Sequence, residues 1–370
     1  MLEKDQNRNP EEFKSALHVQ DGVEQPESIN PDVIKKFKRK KKVQYSVDEF
    51  VKGVLAGNRT ILGQAITLIE SNLQEHNDIA QEIIEKCLPH AGKSIRIGIT
   101  GVPGVGKSTF IESMGRYITK EGGKLAVLAV DPSSEKSKGS ILGDKTRMEE
   151  LATDPNAFIR PSPSAGSLGG VARKTRETIV LCEAAGFNVI FIETVGVGQS
   201  ETAVHSMVDF FLLLMLAGAG DELQGIKRGI MEMADAIAIT KADGENIYKA
   251  DIAKVEYQNA LHLFPPTESG WIPKVLTCSS LKKSGIDKVW ETVEAYMQLA
   301  KDSNYFSSKR KEQAKFWMYE SINESLKNSF YNQEGIKERL NFFEENVLSG
   351  KMNSFLASKI LISEYIKNQK

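Results

Sequence analysis

The pattern of apolar positions divides the chain into a polar leading segment, a long region of alternating strand and helix patterns, and a helical end. Between residues 94 and 302, short apolar runs typical of buried strands alternate with amphipathic stretches. The predicted strands are 95–100, 125–130, 189–193, 210–216, 236–240 and 275–278. The predicted helices are 108–119, 171–185, 248–263 and 286–299. This alternation predicts an α/β fold with a mostly parallel sheet that helices cover on both faces.

Helical segments flank that region on both sides. Residues 45–93 hold helical patterns at 56–71 and 79–88, and beyond 303 three charged amphipathic helices lie near 308–330, 334–348 and 353–368. The first of these carries an apolar stripe of Trp317, Tyr319, Ile322, Leu326 and Phe330. Because such helices hold more apolar surface than they can bury alone, we expect residues 303–370 to form a dimerisation arm.

The leading segment, residues 1–44, is polar and ends in the basic run KKFKRKKK at 35–42. Low aromatic content and mixed charge predict a disordered arm, and a solvated tail is favoured over contact with RNA or an acidic partner. The formal net charge of −1 gives no reason to expect a nucleic-acid or membrane partner.

The sequence predicts a cytoplasmic protein. The longest apolar run, 210–219, is too short to cross a bilayer, and the N-terminal residues form neither a signal nor a transit pattern. The three cysteines are far apart and read as core residues, which suits a reducing compartment.

The strongest chemical motif is GVPGVGKS at 101–108, which matches GxxxxGK[ST] between an apolar strand and a helix. Backbone N–H groups of such a loop cradle phosphates, and the helix N-terminus adds positive potential. Lys107 is expected to bridge the β- and γ-phosphates, and Ser108 to place its hydroxyl on Mg²⁺. The remaining nucleotide-contacting residues expected here are Gly104, Val105, Gly106 and Thr109.

A second motif predicts which base is bound. The apolar strand 236–239 ends in Thr240-Lys241-Ala242-Asp243, the [N/T]KxD pattern in which Thr240 stands where Asn is commoner. The Asp243 carboxylate can accept from guanine N1–H and the 2-amino group, and Lys241 lies along the base. Adenine lacks this pair of donors, so GTP is favoured over ATP. Backbone N–H groups at another strand end can meet guanine O6, at Ser279, Ser280 and Leu281.

A third motif, ETVG at 193–196, follows a buried strand and is the DxxG box of G proteins with Glu for Asp. Glu193 can act on the Mg²⁺ shell, and Gly196 can offer its N–H to the γ-phosphate. Gln199 lies three residues after Gly196, so it compares poorly with the water-positioning Gln of other GTPases. Lys174 and Arg176 are expected to be a solvated helix face.

Four ordered segments resemble the MeaB/ArgK family of SIMIBI-class P-loop GTPases, which includes the methylmalonic aciduria type A protein. They are DPSS at 131–134, GSILGDKTRM at 139–148, ETVGVGQSE at 193–201 and GDELQGIK at 220–227. The resemblance runs from about residue 59 into the C-terminal helices. It implies a homodimeric GTPase chaperone that gates adenosylcobalamin loading or protection of methylmalonyl-CoA mutase or a related acyl-CoA mutase.

The resemblance also implies roles for particular residues. Asp131 and Asp144 would join Ser108 and Glu193 around Mg²⁺, although the ion's preference for few carboxylates argues against direct ligation by all three acids. The 220–227 loop would report the GTP state to the mutase. Lys227 on that loop would act in hydrolysis beside Lys107 and Glu193.

Three alternatives remain open from the sequence. An ATP-dependent small-molecule kinase is disfavoured by the 240–243 motif. A nickel-inserting metallochaperone GTPase would carry Cys or His near the switch, which this sequence lacks. A regulatory scaffold would turn nucleotide over only incidentally. The identity of the mutase, whether for methylmalonyl-, isobutyryl- or ethylmalonyl-CoA, is also open.

Overall fold

The computed structural model describes residues 45–130, 148–161, 168–194, 200–218 and 228–367. The described ranges hold seven strands: β1 Ile95–Gly101, β2 Leu125–Val130, β3 Ala157–Arg160, β4 Val189–Thr194, β5 Phe210–Leu216, β6 Ala236–Thr240 and β7 Lys274–Thr277. The helices up to β4 are α1 Val47–Leu55, α2 Arg59–Glu70, α3 Gln74–Cys87, α4 Lys107–Lys120, α5 Glu149–Thr153 and α6 Leu168–Ala184. The later helices are α7 Ser200–His205, α8 Arg228–Glu232, α9 Ile247–Leu261, α10 Ile286–Asp302, α11 Tyr305–Asn332, α12 Ile336–Leu348 and α13 Ser354–Lys367.

The seven strands form one parallel sheet in the order β3-β2-β4-β1-β5-β6-β7. The predicted α/β class and parallel sheet are therefore confirmed. Strands β2 and β5 are continuous apolar runs, as expected for strands that are buried on both faces. Ligands of such sheets bind beyond the carboxyl ends of the strands, which places the phosphate loop after β1 at the functional edge.

Alternate residues of β2 and β4 enter two cores, one on each face of the sheet. On one face, Ala126 and Ile190 pack with the N-terminal helices and α6; on the other, Val127 and Phe191 pack with α4 and α10. The helical N-terminal segment thus shares a core with the sheet. The boundaries proposed at 45–93, 94–302 and 303–370 remain a prediction.

The sequence patterns missed strand β3 and the helices α1, α5, α7 and α8. Strand β3 has only four residues, too few to show a period. Helix α1 begins with a capping box in which Ser46 Oγ accepts from Glu49 N at 3.3 Å and Glu49 Oε2 accepts from Ser46 N at 2.7 Å. The S-x-x-E spacing was the available signal for that helix.

The apolar stripe predicted on the arm divides into a buried part and an exposed part. Trp317 is 7 % exposed and lies in the core that the N-terminal helices share with the sheet, whereas Tyr319, Ile322 and Leu326 are 54, 46 and 58 % exposed. The stripe is therefore not one unpartnered face, because its first member fastens α11 to the body of the protein.

The prediction that Lys174 and Arg176 form a solvated face is wrong. The Arg176 guanidinium lies 4.2 Å from the centre of the Trp317 ring, and burial lowers its pKa to about 9. Lys174 Nζ donates to the Glu70 carbonyl at 2.8 Å and to Asn72 Oδ1 at 3.0 Å. Both side chains join α6 to neighbouring helices.

The three cysteines are free and buried, as predicted, and burial raises the pKa of each thiol. Among the helices of the described ranges, none is both long enough and apolar enough to span a membrane.

Candidate nucleotide-binding site

The phosphate loop connects β1 to α4 by a sharp turn that needs glycine. Gly101, at the end of β1, has a φ of 156°, and a Cβ there would lie 2.4 Å from the Leu214 carbonyl oxygen. Gly106 has a φ of 93° and directly precedes α4. This left-handed conformation, which glycine adopts without steric cost, turns the chain from the loop into the first turn of the helix. Val105, between these glycines, is fully buried and anchors the loop.

Lys107 points its ammonium back over the loop. Its Nζ donates to the Gly101 carbonyl at 2.9 Å and to the Val102 carbonyl at 3.4 Å. Burial lowers the pKa of Lys107, and the charges of Glu193 and Glu201 oppose that shift. The loop thus holds a partly desolvated cation where phosphate oxygens would bind.

Glu193 lies at the same edge of the sheet. It pairs in register with Ile99 of β1 and is 8 % exposed. The next residue, Thr194, donates its hydroxyl to Thr100 Oγ1 at 2.7 Å, which fixes the ends of β4 and β1 to each other. The structure therefore brings Glu193 and Lys107 into electrostatic contact.

The predicted base-reading segment is tied to the phosphate loop by two side chains. Thr240 Oγ1 donates to the Val105 carbonyl at 2.7 Å, and Lys241 Nζ donates to the Gly104 carbonyl at 2.9 Å. Thr240 is 2 % exposed and Lys241 has a φ of 56°, so the backbone turns sharply at the strand end. Two hydrogen bonds therefore connect the predicted halves of the nucleotide site.

Asp243 is oriented by Ser279, whose hydroxyl donates to Asp243 Oδ2. Ser279 is fully buried, and its oxygen also accepts from the Lys282 N–H at 3.1 Å. The sequence predicted only a backbone contact with guanine for Ser279. Its neighbours Ser280 and Leu281 are half-buried and exposed, respectively. The hydroxyl contact joins positions far apart in the chain, so no local sequence pattern could have predicted it.

Five residues that were singled out in the sequence lie outside the described residues: Asp131, Asp144, Gly196, Gln199 and Lys227. In contrast, Glu201 was part of the quoted ETVGVGQSE motif without an assigned role. It is 2 % exposed and acts electrostatically on Lys107.

The described donors suit Mg²⁺. The Ser108 hydroxyl belongs to the first turn of α4, and the buried Glu193 carboxylate lies at the end of β4. Both are hard oxygen donors, and Mg²⁺ in nucleotide sites typically takes only one or two protein ligands together with phosphate oxygens and water.

Comparison with known proteins assigns the family. The family model described as methylmalonyl-CoA mutase-associated GTPase MeaB matches residues 62–335. This chain belongs to the MeaB family of GTPases. Membership makes it a GTPase that binds guanine nucleotides.

Individual relatives agree with that membership. A probable GTPase of Mycobacterium tuberculosis is 46 % identical over 317 residues, which cover 86 % of this chain and 94 % of the relative. The mitochondrial methylmalonic aciduria type A homolog of Mus musculus is 45 % identical over 334 residues, 88 % of this chain and 80 % of the relative. GTPase ArgK of Escherichia coli is 43 % identical over 323 residues, which cover 87 % of this chain and 97 % of the relative.

A solved structure shares the fold. The crystal structure of a LAO/AO transport system kinase superposes with a TM-score of 0.69 at 37 % identity, covering 87 % of this chain and 97 % of that one. A P-loop fold with a parallel sheet is therefore common to both.

Proposed function

We propose that this chain is a chaperone GTPase that couples GTP binding and hydrolysis to the loading or protection of adenosylcobalamin in methylmalonyl-CoA mutase or a related acyl-CoA mutase. The observation that carries the nucleotide-binding part of the proposal is the pair of hydrogen bonds from Thr240 and Lys241 to the phosphate loop. The family description, which names the mutase, and the relatives named for methylmalonic aciduria support the choice of partner.

In this proposal the nucleotide is recognised at both ends. Asp243, oriented by Ser279, accepts two hydrogen bonds from guanine. Lys107 leaves the Gly101 carbonyl and neutralises β- and γ-phosphate charge. Ser108 and one or two of the acids Glu193, Asp131 and Asp144 would ligate Mg²⁺ directly, and the remaining acid would act through its water shell. The ion would supply further charge neutralisation for phosphoryl transfer.

Hydrolysis needs positioning and charge neutralisation and no covalent nucleophile. Slow intrinsic turnover would become faster once the partner orders the loops around the γ-phosphate. We place Gly196 and Lys227 in that role, because a lysine that approaches the γ-phosphate stabilises the charge that develops in the transition state.

We also propose that the C-terminal arm forms a homodimer. Many large apolar side chains of α11–α13 are exposed: Phe316, Met318, Tyr319, Ile322, Leu326, Tyr331, Phe342, Leu348, Phe355, Leu356, Ile362 and Ile366. Exposed apolar surface of this extent is typical of an interface. Light scattering of the purified full chain should give the mass of a dimer; a monomer mass at micromolar concentration would refute this part of the proposal.

The chaperone role is tested by cofactor transfer. Apo-mutase, adenosylcobalamin and this protein are mixed with GTP, with GDP or with a non-hydrolysable GTP analogue, and holo-mutase is followed by its catalytic activity. We expect the yield of correctly loaded enzyme to depend on the nucleotide. Equal loading under all three conditions, and without the protein, would contradict the role.

A kinase remains the second candidate, favoured by the description of the 37 % identical structure as a transport system kinase. It predicts ATP-dependent phosphorylation of a small molecule. The Asp243–Ser279 pair favours guanine, so GTP turnover without such a product separates the two functions.

A further inference from the structure

Helix α7 packs on β1, the strand that leads into the phosphate loop: a Cβ at Gly98 would lie 3.0 Å from Val204 Cγ1. Glu201, in its first turn, is 2 % exposed and lies within electrostatic reach of Lys107. The Ser200 hydroxyl is 3.4 Å from Glu201 Oε2. The roles proposed above make no use of this buried acid.

The other end of α7 runs into residues 206–209, which enter β5 and are held by helix α11 of the arm. Three side chains of α11 donate to three backbone carbonyls of this 206–209 connection. The pairs are Trp317 Nε1 to Ser206 O at 3.2 Å, Gln313 Nε2 to Val208 O at 2.8 Å, and Lys309 Nζ to Asp209 O at 2.8 Å. The arm therefore satisfies the backbone acceptors of the segment that leads away from α7.

The three donors recur every four residues, which places them on one face of α11. Gln313 and Trp317 are also the buried residues of that helix. The Arg176 guanidinium covers the Trp317 ring, so the indole has a fixed position. In the described part of the chain, the other amide atom of Gln313, Oε1, is buried without a hydrogen-bond partner. A buried oxygen without a hydrogen bond lowers the stability of the fold. Gln313 is therefore not the side chain expected if stability alone determined this position.

We propose that Gln313 and Trp317 are positioning residues of the nucleotide site: by holding the 206–209 connection they fix α7, and with it the Glu201 carboxylate, against the phosphate loop. The inference rests on the nucleotide site proposed above. Helix α7 has six residues and is only about 9 Å long, so a shift at one end moves the other. Coupling between sites is reciprocal, and nucleotide binding would therefore also bias the arm that carries the proposed dimer surface.

The test uses the full-length protein and a pair of matched substitutions. Gln313→Met removes the amide donor together with the unpartnered oxygen and keeps the volume. Because the Val208 carbonyl loses its donor, a thermal melt of each variant is recorded to show that it is folded. Lys315→Met places the same side chain at an exposed position of the same helix. Trp317→Phe is a second variant, which removes the N–H donor and keeps an aromatic ring beneath Arg176.

We expect Gln313→Met and Trp317→Phe to weaken binding of fluorescent GDP and of a GTP analogue by about threefold to tenfold, as for one lost hydrogen bond. Lys315→Met should stay within twofold of wild type. In wild type, nucleotide should slow amide hydrogen exchange across residues 200–209, and in the two variants this protection should be lost.

The inference is overturned if both variants bind and hydrolyse nucleotide within twofold of wild type while exchange at 206–209 rises, because the contacts would then be structural only. If only the chaperone proposal failed, the two variants would still weaken nucleotide binding, and added mutase would leave the GTP hydrolysis rate of the wild type unchanged. A wild-type protein that bound no guanine nucleotide would refute the site and this inference together.

Discussion

Replacement of Asp243 by Asn should convert the guanine site into a xanthine site. The carboxylate is expected to accept two charge-assisted hydrogen bonds from guanine, each worth about 1.5–3 kcal/mol. An amide cannot accept both, but its NH₂ can donate to the 2-oxo group of xanthine. GTP affinity should therefore fall by about 100-fold or more, and XTP should bind better than GTP. Titration of wild type and variant with GTP, XTP and ATP measures the change.

The substitution should leave the fold intact, because Asn can still accept from the Ser279 hydroxyl through its Oδ1. Asp251→Asn removes a carboxylate from an exposed position of α9 and is the matched control, with no expected change in nucleotide preference. Equal binding of ATP and GTP by wild type, and no effect of Asp243→Asn, would refute the guanine site and move the kinase to first place.

Replacement of Arg310 by Ala should produce the largest loss of stability. Its guanidinium donates to both Asp209 carboxylate oxygens, at 2.8 and 2.6 Å, and to the Ser94 and Gly92 carbonyls at 2.7 and 3.1 Å. Its Nη1 also lies 3.5 Å from Glu183 Oε1. The Asp209 side chain is 2 % exposed, so the variant leaves this buried carboxylate without its ion-pair partner, whereas Glu183 keeps its pair with Arg96.

Breaking such a buried pair from one side costs about 3–5 kcal/mol of unfolding free energy. Urea unfolding of Arg310→Ala measures the loss. Arg339→Ala is the control, because the Arg339–Glu364 pair on the arm is largely exposed and such surface pairs contribute about 0–1 kcal/mol. Equal losses in the two variants would show that the buried cluster does not fasten the arm.

The parallel sheet was largely predictable from the sequence because several of its strands are short apolar runs between helical patterns. Strand β5 reads as FFLLLML, and its length of seven residues favours a strand over a buried helix. Strand β3 was not predictable, since AFIR gains its partner only once β2 is in place. Helix α3 begins at Gln74, before the predicted start at 79, and its N-cap residue Leu73 makes no side-chain capping hydrogen bond that the sequence could have indicated.

The candidate site was predictable where its residues are contiguous. The phosphate loop and the 240–243 segment each carry their chemistry in one short motif. The contacts that unite them were not predictable, because Thr240 and Val105 are 135 positions apart. The same reason explains the error at Arg176, whose partner Trp317 belongs to the arm. Polar residues on a helix look solvated until the helix that covers them is known.

Single-turnover GTP hydrolysis with and without purified mutase tests whether a cobalamin-dependent acyl-CoA mutase is the client of this GTPase. We predict that saturating methylmalonyl-CoA mutase, or the related mutase that is the true client, raises the hydrolysis rate at least severalfold, and that Asp243→Asn restores the same stimulation with XTP. An unchanged rate with every such mutase, at concentrations well above that of the GTPase, would contradict the account.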